Sequence, residues 1–183
     1  SYAPDENFLE GVRTLADEHG ATLIFDEISS GFRINNGGAH LKLGITPDLA
    51  IFSKAVSNGY PMGIIMGKSH IMESAQDTFI SSTSWTEGIG PTAAIATMRK
   101  FKATNAHEHL ILIGNIISQG WANAAKNASL EINTSGLPSL LKFSFNHSKD
   151  LAMKTYFTQE MLDVGFLASG RFYSMLARTV DAA

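Results

Sequence analysis

The chain has no cysteine, which excludes a disulfide scaffold and a thiolate metal site. It has no apolar run near the ~20 residues that a membrane-spanning helix needs. It has no basic run either. The formal net charge is −3, from 14 Lys and Arg against 17 Asp and Glu, so nothing points to nucleic acid or an anionic membrane surface. No G-x-G-x-x-G follows a strand-like stretch, which argues against a dinucleotide fold, and neither a G-x-S-x-G elbow nor a P-loop occurs. The opening residues, SYAPDENFLEG, lack the basic-then-apolar pattern of a secretion signal, and a cytoplasmic protein is expected. What is present is an ordinary globular composition: 183 residues, 44% hydrophobic and 17% charged. That is enough chain for one large domain or one and a half small ones.

The stretch LIFDEISSGFR, residues 23 to 33, stands out. Leu23, Ile24, Phe25 and Ile28 frame two acids, Asp26 and Glu27. A buried strand that ends in a carboxylate is costly unless a cation meets it. Upstream, Phe8, Leu9, Val12, Leu15 and Ala16 recur at helical spacing after Pro4 and Asp5, and Gly20 supplies a stop. Helix, glycine, then a fully apolar run is the grammar of a parallel sheet covered on both faces. Asp26 would then sit at a strand's carboxyl end, where open α/β sheets place their ligands. The chain enters this helix with no strand before it, so a fragment of a longer protein is expected.

Residues 29 to 45 read as a loop able to line a site. Leu49 to Phe52 reads as a second strand, Gly63 to Met66 as a third, residues 68 to 75 as a short helix and Thr78 to Ser82 as a further strand. Pro91 suits the first turn of a helix faced by Ala94, Ile95, Met98 and Phe101. A longer helical pattern follows through Leu110, Ile113, Ile117, Trp121 and Ala124, weakened by Gly114 and Gly120. Leu130 to Ile132 and Leu140 to Phe145 read as strands. The alternation in KFSFN suggests an antiparallel sheet with one wet face. Residues 150 to 163 read as a helix with Met153, Tyr156, Phe157 and Met161 inward. A domain boundary is placed near residue 125, giving domains 1–125 and 126–183.

Lys54 follows Ala50, Ile51 and Phe52 almost directly. A lysine there either snorkels to water or is held for chemistry. Asp26 and Lys54 both close apolar strands and lie 28 residues apart, about one crossover unit, so both are expected at one sheet edge. An ion pair would satisfy them. A pyridoxal phosphate site accounts for them better: the lysine forms a Schiff base and the aspartate pairs with the pyridinium nitrogen.

FDEISSGFR, PDLAIFSKAVSNGYPMG and SWTEGIGPTAA, in that order, resemble the class III aminotransferases of fold type I. GGAH, GITPDL and the GFR ending resemble the branch that contains glutamate-1-semialdehyde aminomutase. The resemblance runs through residues 1 to 102. It implies the pyridoxal-phosphate-dependent transferase fold: an α/β large domain, of which this chain holds the C-terminal part with a mostly parallel sheet and helices on both faces, plus part of a small α+β domain. It implies amino transfer between an amino compound and a keto acid or aldehyde through a Lys54 aldimine. The alternatives are aminomutase-type intramolecular transfer and a catalytically silent scaffold.

By that resemblance Asp26 binds the pyridine nitrogen, Ile28 packs on the cofactor ring, Lys54 attaches the cofactor and moves the substrate proton, and Thr86 binds the phosphate. In the family this last contact reaches the neighbouring subunit of a homodimer. A helix N-cap role for Thr86 stays open beside it. Ser29 departs from the longer polar side chain that many relatives carry. Ile89-Gly90 stands where glycine-asparagine is usual, and VSNGYPMG replaces a more glycine-rich run. Glu27 has no expected role beyond ordering the loop. Arg33 reads as a loop salt bridge ahead of a substrate-carboxylate contact. His107-Glu108-His109 lacks a third ligand and reads as a solvated helix start, not a metal site. The family's glycine-rich phosphate loop and ring-stacking aromatic would lie upstream, so these residues alone are expected to bind cofactor weakly or not at all.

Overall fold

A computed structural model describes residues 4–182, which form two compact units, Pro4–His107 and the residues from Glu108 onward. The division falls at the start of the same long helix in whose last turns the sequence suggests a boundary. The helix goes with the second unit because Trp121, in its C-terminal half, packs on Phe143 with ring centroids 4.8 Å apart.

The first unit opens with α1 (Phe8–Glu18), which begins after left-handed Asn7 rather than at Asp5. Then come β1 (Ile24–Asp26), the short α2 (His40–Leu43) and β2 (Leu49–Phe52). Strand β1 runs parallel to β2, with Ile24 opposite Leu49 and Asp26 opposite Ile51. β3 (Ile64–Gly67) pairs antiparallel on the other side of β2, and α3 (Ser69–Met72) follows it. Alternate residues of the central strand, Ala50 and Phe52, enter a core with Phe32, Val56 and Ala94. Ala94 belongs to α4 (Ile89–Ala103), whose Met98 and Phe101 pack against the same cluster.

Two expectations are corrected here. β1 is not covered on both faces: Ile24 is 51% exposed, and Asp26 is exposed rather than buried. Among the described residues β1 has one strand neighbour only, so it is an edge. Residues 78 to 82 form no strand. No described strand pairs with them, and Phe79 stands 96% exposed.

A buried acid ties α1, the start of β1 and the residue after β3 together. Asp48 accepts bonds from Arg13 (3.0 Å), Lys68 (2.6 Å) and the Leu23 amide (2.7 Å). Lys68, then the Leu23 amide and Arg13, overcome the opposing effect of burial and hold its carboxyl far below the usual range.

In the second unit α5 (Ala106–Asn127) leads to β4 (Ile132–Leu137), β5 (Leu140–Phe145), α6 (Asp150–Asp163) and β6 (Arg171–Tyr173). The sheet is antiparallel in the order β4-β5-β6. Sequence periodicity marks β5 and α6 but not β6, which has three residues. Phe143 is the centre of the core, with Trp121, Phe145 and Phe157 edge-on around it. Gly114 has a packing reason: a Cβ there would overlap the carbonyl oxygen of Pro138. Tyr156 is 64% exposed, not inward as its spacing suggests.

Candidate active site

The parallel pairing of β1 and β2 puts their carboxyl ends on one edge of the sheet. Asp26 ends β1, and Lys54 lies two residues beyond the end of β2. The Lys54 Nζ donates a 2.5 Å hydrogen bond to Ser29 Oγ, three residues past Asp26. Lys54 takes a left-handed φ of 49°, which costs a residue with a Cβ roughly 1 kcal/mol. Strain of this kind concentrates at functional sites. Its neighbours hold it: Ser53 Oγ donates to the Met62 carbonyl at 2.6 Å, and the Asn58 amide donates to the Lys54 carbonyl at 3.1 Å.

The Asp26 side chain accepts from the Ile28 amide through Oδ1 at 2.9 Å, an Asx turn that starts the loop. Its Oδ2 appears in none of the described hydrogen bonds. Ile28 is half-buried on this loop.

Glu27, given only a loop-ordering role by the sequence, is the buried member of the Asp26–Glu27 pair, at 2% exposure. It accepts a short hydrogen bond from Ser30 Oγ and a 2.8 Å bond from the His40 amide, and the His40 ring Nδ1 lies 3.0 Å from Oε1. Desolvation is the largest influence on Glu27 and pushes its carboxyl up. The Ser30 hydroxyl, the His40 and Ala39 amides and the His40 ring together outweigh it and hold the group below its ordinary value. The result is a closed loop from 27 to 40. Gly31 completes it, since a Cβ there would sit 2.7 Å from the Phe52 ring and 2.8 Å from the Glu27 carbonyl oxygen. A glutamate just past a strand end, with Ser at +3 and glycine at +4 from it, was the available sign of this brace. His40, thirteen residues away, carried none.

Thr86 lies in an exposed turn two residues before Gly88, which precedes α4. It is not the helix cap. Glu87 fills that role, accepting a short bond from the Ile89 amide and a 3.2 Å bond from the Gly90 amide. No described hydrogen bond joins Thr86 to Asp26, Ile28 or Lys54. The structure therefore brings Asp26, Ile28 and Lys54 to one edge.

The histidine pair is not simply solvated. His107 stacks on Phe101 at 6.1 Å, and His109 Nε2 lies 2.7 Å from the Arg178 carbonyl oxygen. Among the described residues no group of three potential ligands could hold a metal ion, and no helix is long and apolar enough to cross a membrane.

The first unit is thus an α/β arrangement whose parallel strand pair carries an acid and a lysine on its carboxyl edge. The chain superposes on the Sphingopyxis sp. MTA144 FumI protein, solved in its PLP internal aldimine form. The TM-score is 0.89 at 28% identity, over 96% of this chain and 43% of that one. The profile of Aminotransferase class-III matches residues 1–176, and the chain belongs to that family. It is 34% identical over 183 residues to the glutamate-1-semialdehyde 2,1-aminomutase of Roseiflexus castenholzii, and 31% identical over 204 aligned positions to that of Desulforamulus reducens. Each alignment takes in 98% of this chain; the chain spans 41% and 47% of those two relatives.

Proposed function

We propose that these residues carry the acid and the lysine of a pyridoxal-phosphate-dependent amino-transferring enzyme. The observation that carries this reading is the register of β1 on β2, which puts Asp26 and Lys54 on one edge. The residues fit the group. Asp26 keeps Oδ2 available for a ring N–H, Ile28 offers an apolar side chain, and Lys54 brings a primary amine to the same edge. When bound, pyridoxal phosphate supplies an electron sink for the carbanion next to the transferred nitrogen. Asp26 keeps the ring nitrogen protonated by placing a negative charge beside it. Lys54 is the attachment point and, once released, moves the proton at the substrate carbon. Ser29 Oγ is where the free amine rests. Thr86 serves the phosphate as a hydroxyl donor.

The chain's own exposed groups support a homodimer. Phe79, Ile80, Trp85 and Ile89 surround Thr86 in sequence and are each at least 49% exposed, an apolar segment suited to a second subunit. Thr86 would then act in the partner's site. The substrates are a small amino donor and a keto or aldehyde acceptor. Intramolecular transfer of the aminomutase kind is the second reading, favoured by the names of the two relatives.

The test uses the complete gene product that contains these residues. Added cofactor should give visible absorbance that survives gel filtration in the parent protein and is lost in Lys54→Ala. Absorbance retained by Lys54→Ala would overturn the assignment, and none in the parent would favour a silent scaffold. Turnover of glutamate semialdehyde without an amino acceptor would select the aminomutase reading; strict dependence on a keto acid would select transamination.

A further inference from the structure

We propose that Glu27 is a positioning residue for Lys54 and acts through Ser29: it fixes the turn whose hydroxyl receives the lysine amine. The inference rests on the functional reading above and adds a residue to it. Among the described hydrogen bonds the Lys54 Nζ takes part in one, the 2.5 Å bond to Ser29 Oγ. The Lys54 backbone is held by Ser53 and Asn58, but its side chain is a flexible stem. The place of the amine therefore depends on where that acceptor is held.

Ser29 lies inside a turn that Glu27 closes twice. The Glu27 carbonyl accepts from the Gly31 amide at 2.8 Å, and the Glu27 carboxylate accepts from Ser30 Oγ. The carboxylate is anchored outside the turn by the His40 amide at 2.8 Å and the His40 ring at 3.0 Å. His40 in turn packs edge-on against Phe25 of β1, with ring centroids 6.3 Å apart. The packing around this anchor is close. A Cβ on Gly38 would overlap the His40 ring, and one on Gly31 would meet the Phe52 ring. Stability alone is a poor account of the arrangement. A carboxylate at 2% exposure is costly to bury, and an apolar side chain would fill the space at less cost. A hydrogen-bonded buried acid contributes rigidity instead. Here the rigid loop is the one that carries the lysine's acceptor, and a misplacement of about 1 Å can cost about a hundredfold in rate.

The experiment uses the complete gene product. For Glu27→Ala, Ser30→Ala, Ser29→Ala and the double variants of the first two with Ser29→Ala, kcat and KM are measured well below the melting temperature. The rate at which each cofactor-free protein gains visible absorbance with added pyridoxal phosphate is measured alongside. Asp48→Asn, which is destabilised at the start of β1, controls for stability alone. Glu27→Ala should lower kcat about tenfold with less than about a threefold change in KM, and should slow cofactor uptake by a similar factor. Ser30→Ala leaves the acid its His40 partners and should lower kcat about threefold. Asp48→Asn should match the parent in kcat and in uptake. In the Ser29→Ala background Glu27→Ala should add less than about a twofold loss, because the path through Ser29 is already cut. A Glu27→Ala protein as fast as its parent, an equal loss of kcat in Asp48→Asn, or full multiplication of the Glu27→Ala and Ser29→Ala effects would overturn the proposal. If Glu27→Ala does not fold, Ser30→Ala and its double variant decide by the same criteria. Cofactor uptake retained by Lys54→Ala would overturn the functional reading and this inference with it. Uptake lost in Lys54→Ala but unchanged in the Glu27 and Ser30 variants would overturn this inference alone.

Discussion

Lys54 Nζ and Ser29 Oγ are 2.5 Å apart, joining the loops that follow two parallel strands. A hydrogen bond to a charged group contributes about 1.5–3 kcal/mol. Ser29→Ala should therefore lower kcat about tenfold, ~1.4 kcal/mol, with a smaller change in KM. Ser29→Thr keeps the hydroxyl and should restore most of the rate. Steady-state kinetics on the complete gene product measure both, and an Ala variant as fast as its parent would remove Ser29 from the site.

Glu27 holds Ser30 and His40 at 2% exposure. Glu27→Ala leaves those donors without an acceptor and should cost about 2–3 kcal/mol in urea unfolding. Limited proteolysis should then cut within residues 29–39, where the parent resists.

Asp48 ties Arg13, Lys68 and the Leu23 amide together. Its carboxyl and that of Glu27 are both held below their unfolded values. For a depressed acid the stabilisation is fully present above the unfolded value of about 4 and disappears as pH falls through the folded value. The melting temperature should stay level from pH 7 to about 5, then fall steadily in more acidic buffer. Asp48→Asn should lose about 3 kcal/mol at neutral pH and show a shallower acid decline.

Glu87, not Thr86, occupies the first free amides of α4. Glu87→Ala should cost about 1 kcal/mol of stability, while Thr86→Ala should leave the unfolding midpoint within ~0.5 kcal/mol. Weaker cofactor retention in Thr86→Ala, read by equilibrium dialysis, would then report phosphate contact and not a damaged helix. Retention equal to the parent's would remove Thr86 from the site.

The strands at 49–52 and 140–145 were legible because each buries alternate side chains at a period that the sequence prints directly, and the helix at 150–163 from Met153, Phe157 and Met161, which are only half-buried. The shared edge of β1 and β2 was legible from the 28 residues between Asp26 and Lys54, about one crossover unit. The three-residue β6 was not, because three residues hold less than two periods of alternation. Residues 78–82 looked like a strand by composition, but a strand needs a partner, and composition does not supply one.

The candidate site divides along the same line. The sequence by itself determined that Asp26 and Lys54 terminate apolar strands, and strand direction then required a shared edge. Only the tertiary structure decided that Glu27 is the buried member of the Asp26–Glu27 pair, that His40 and Ser30 satisfy it, and that Ser29 receives the lysine. Those partners are 13 and 25 residues away in two of the three cases, and nothing periodic links them. Local pattern reports which side chains want to leave water. Which of them succeed, and which polar groups must then be paired, depends on what the folded chain brings to their faces from elsewhere.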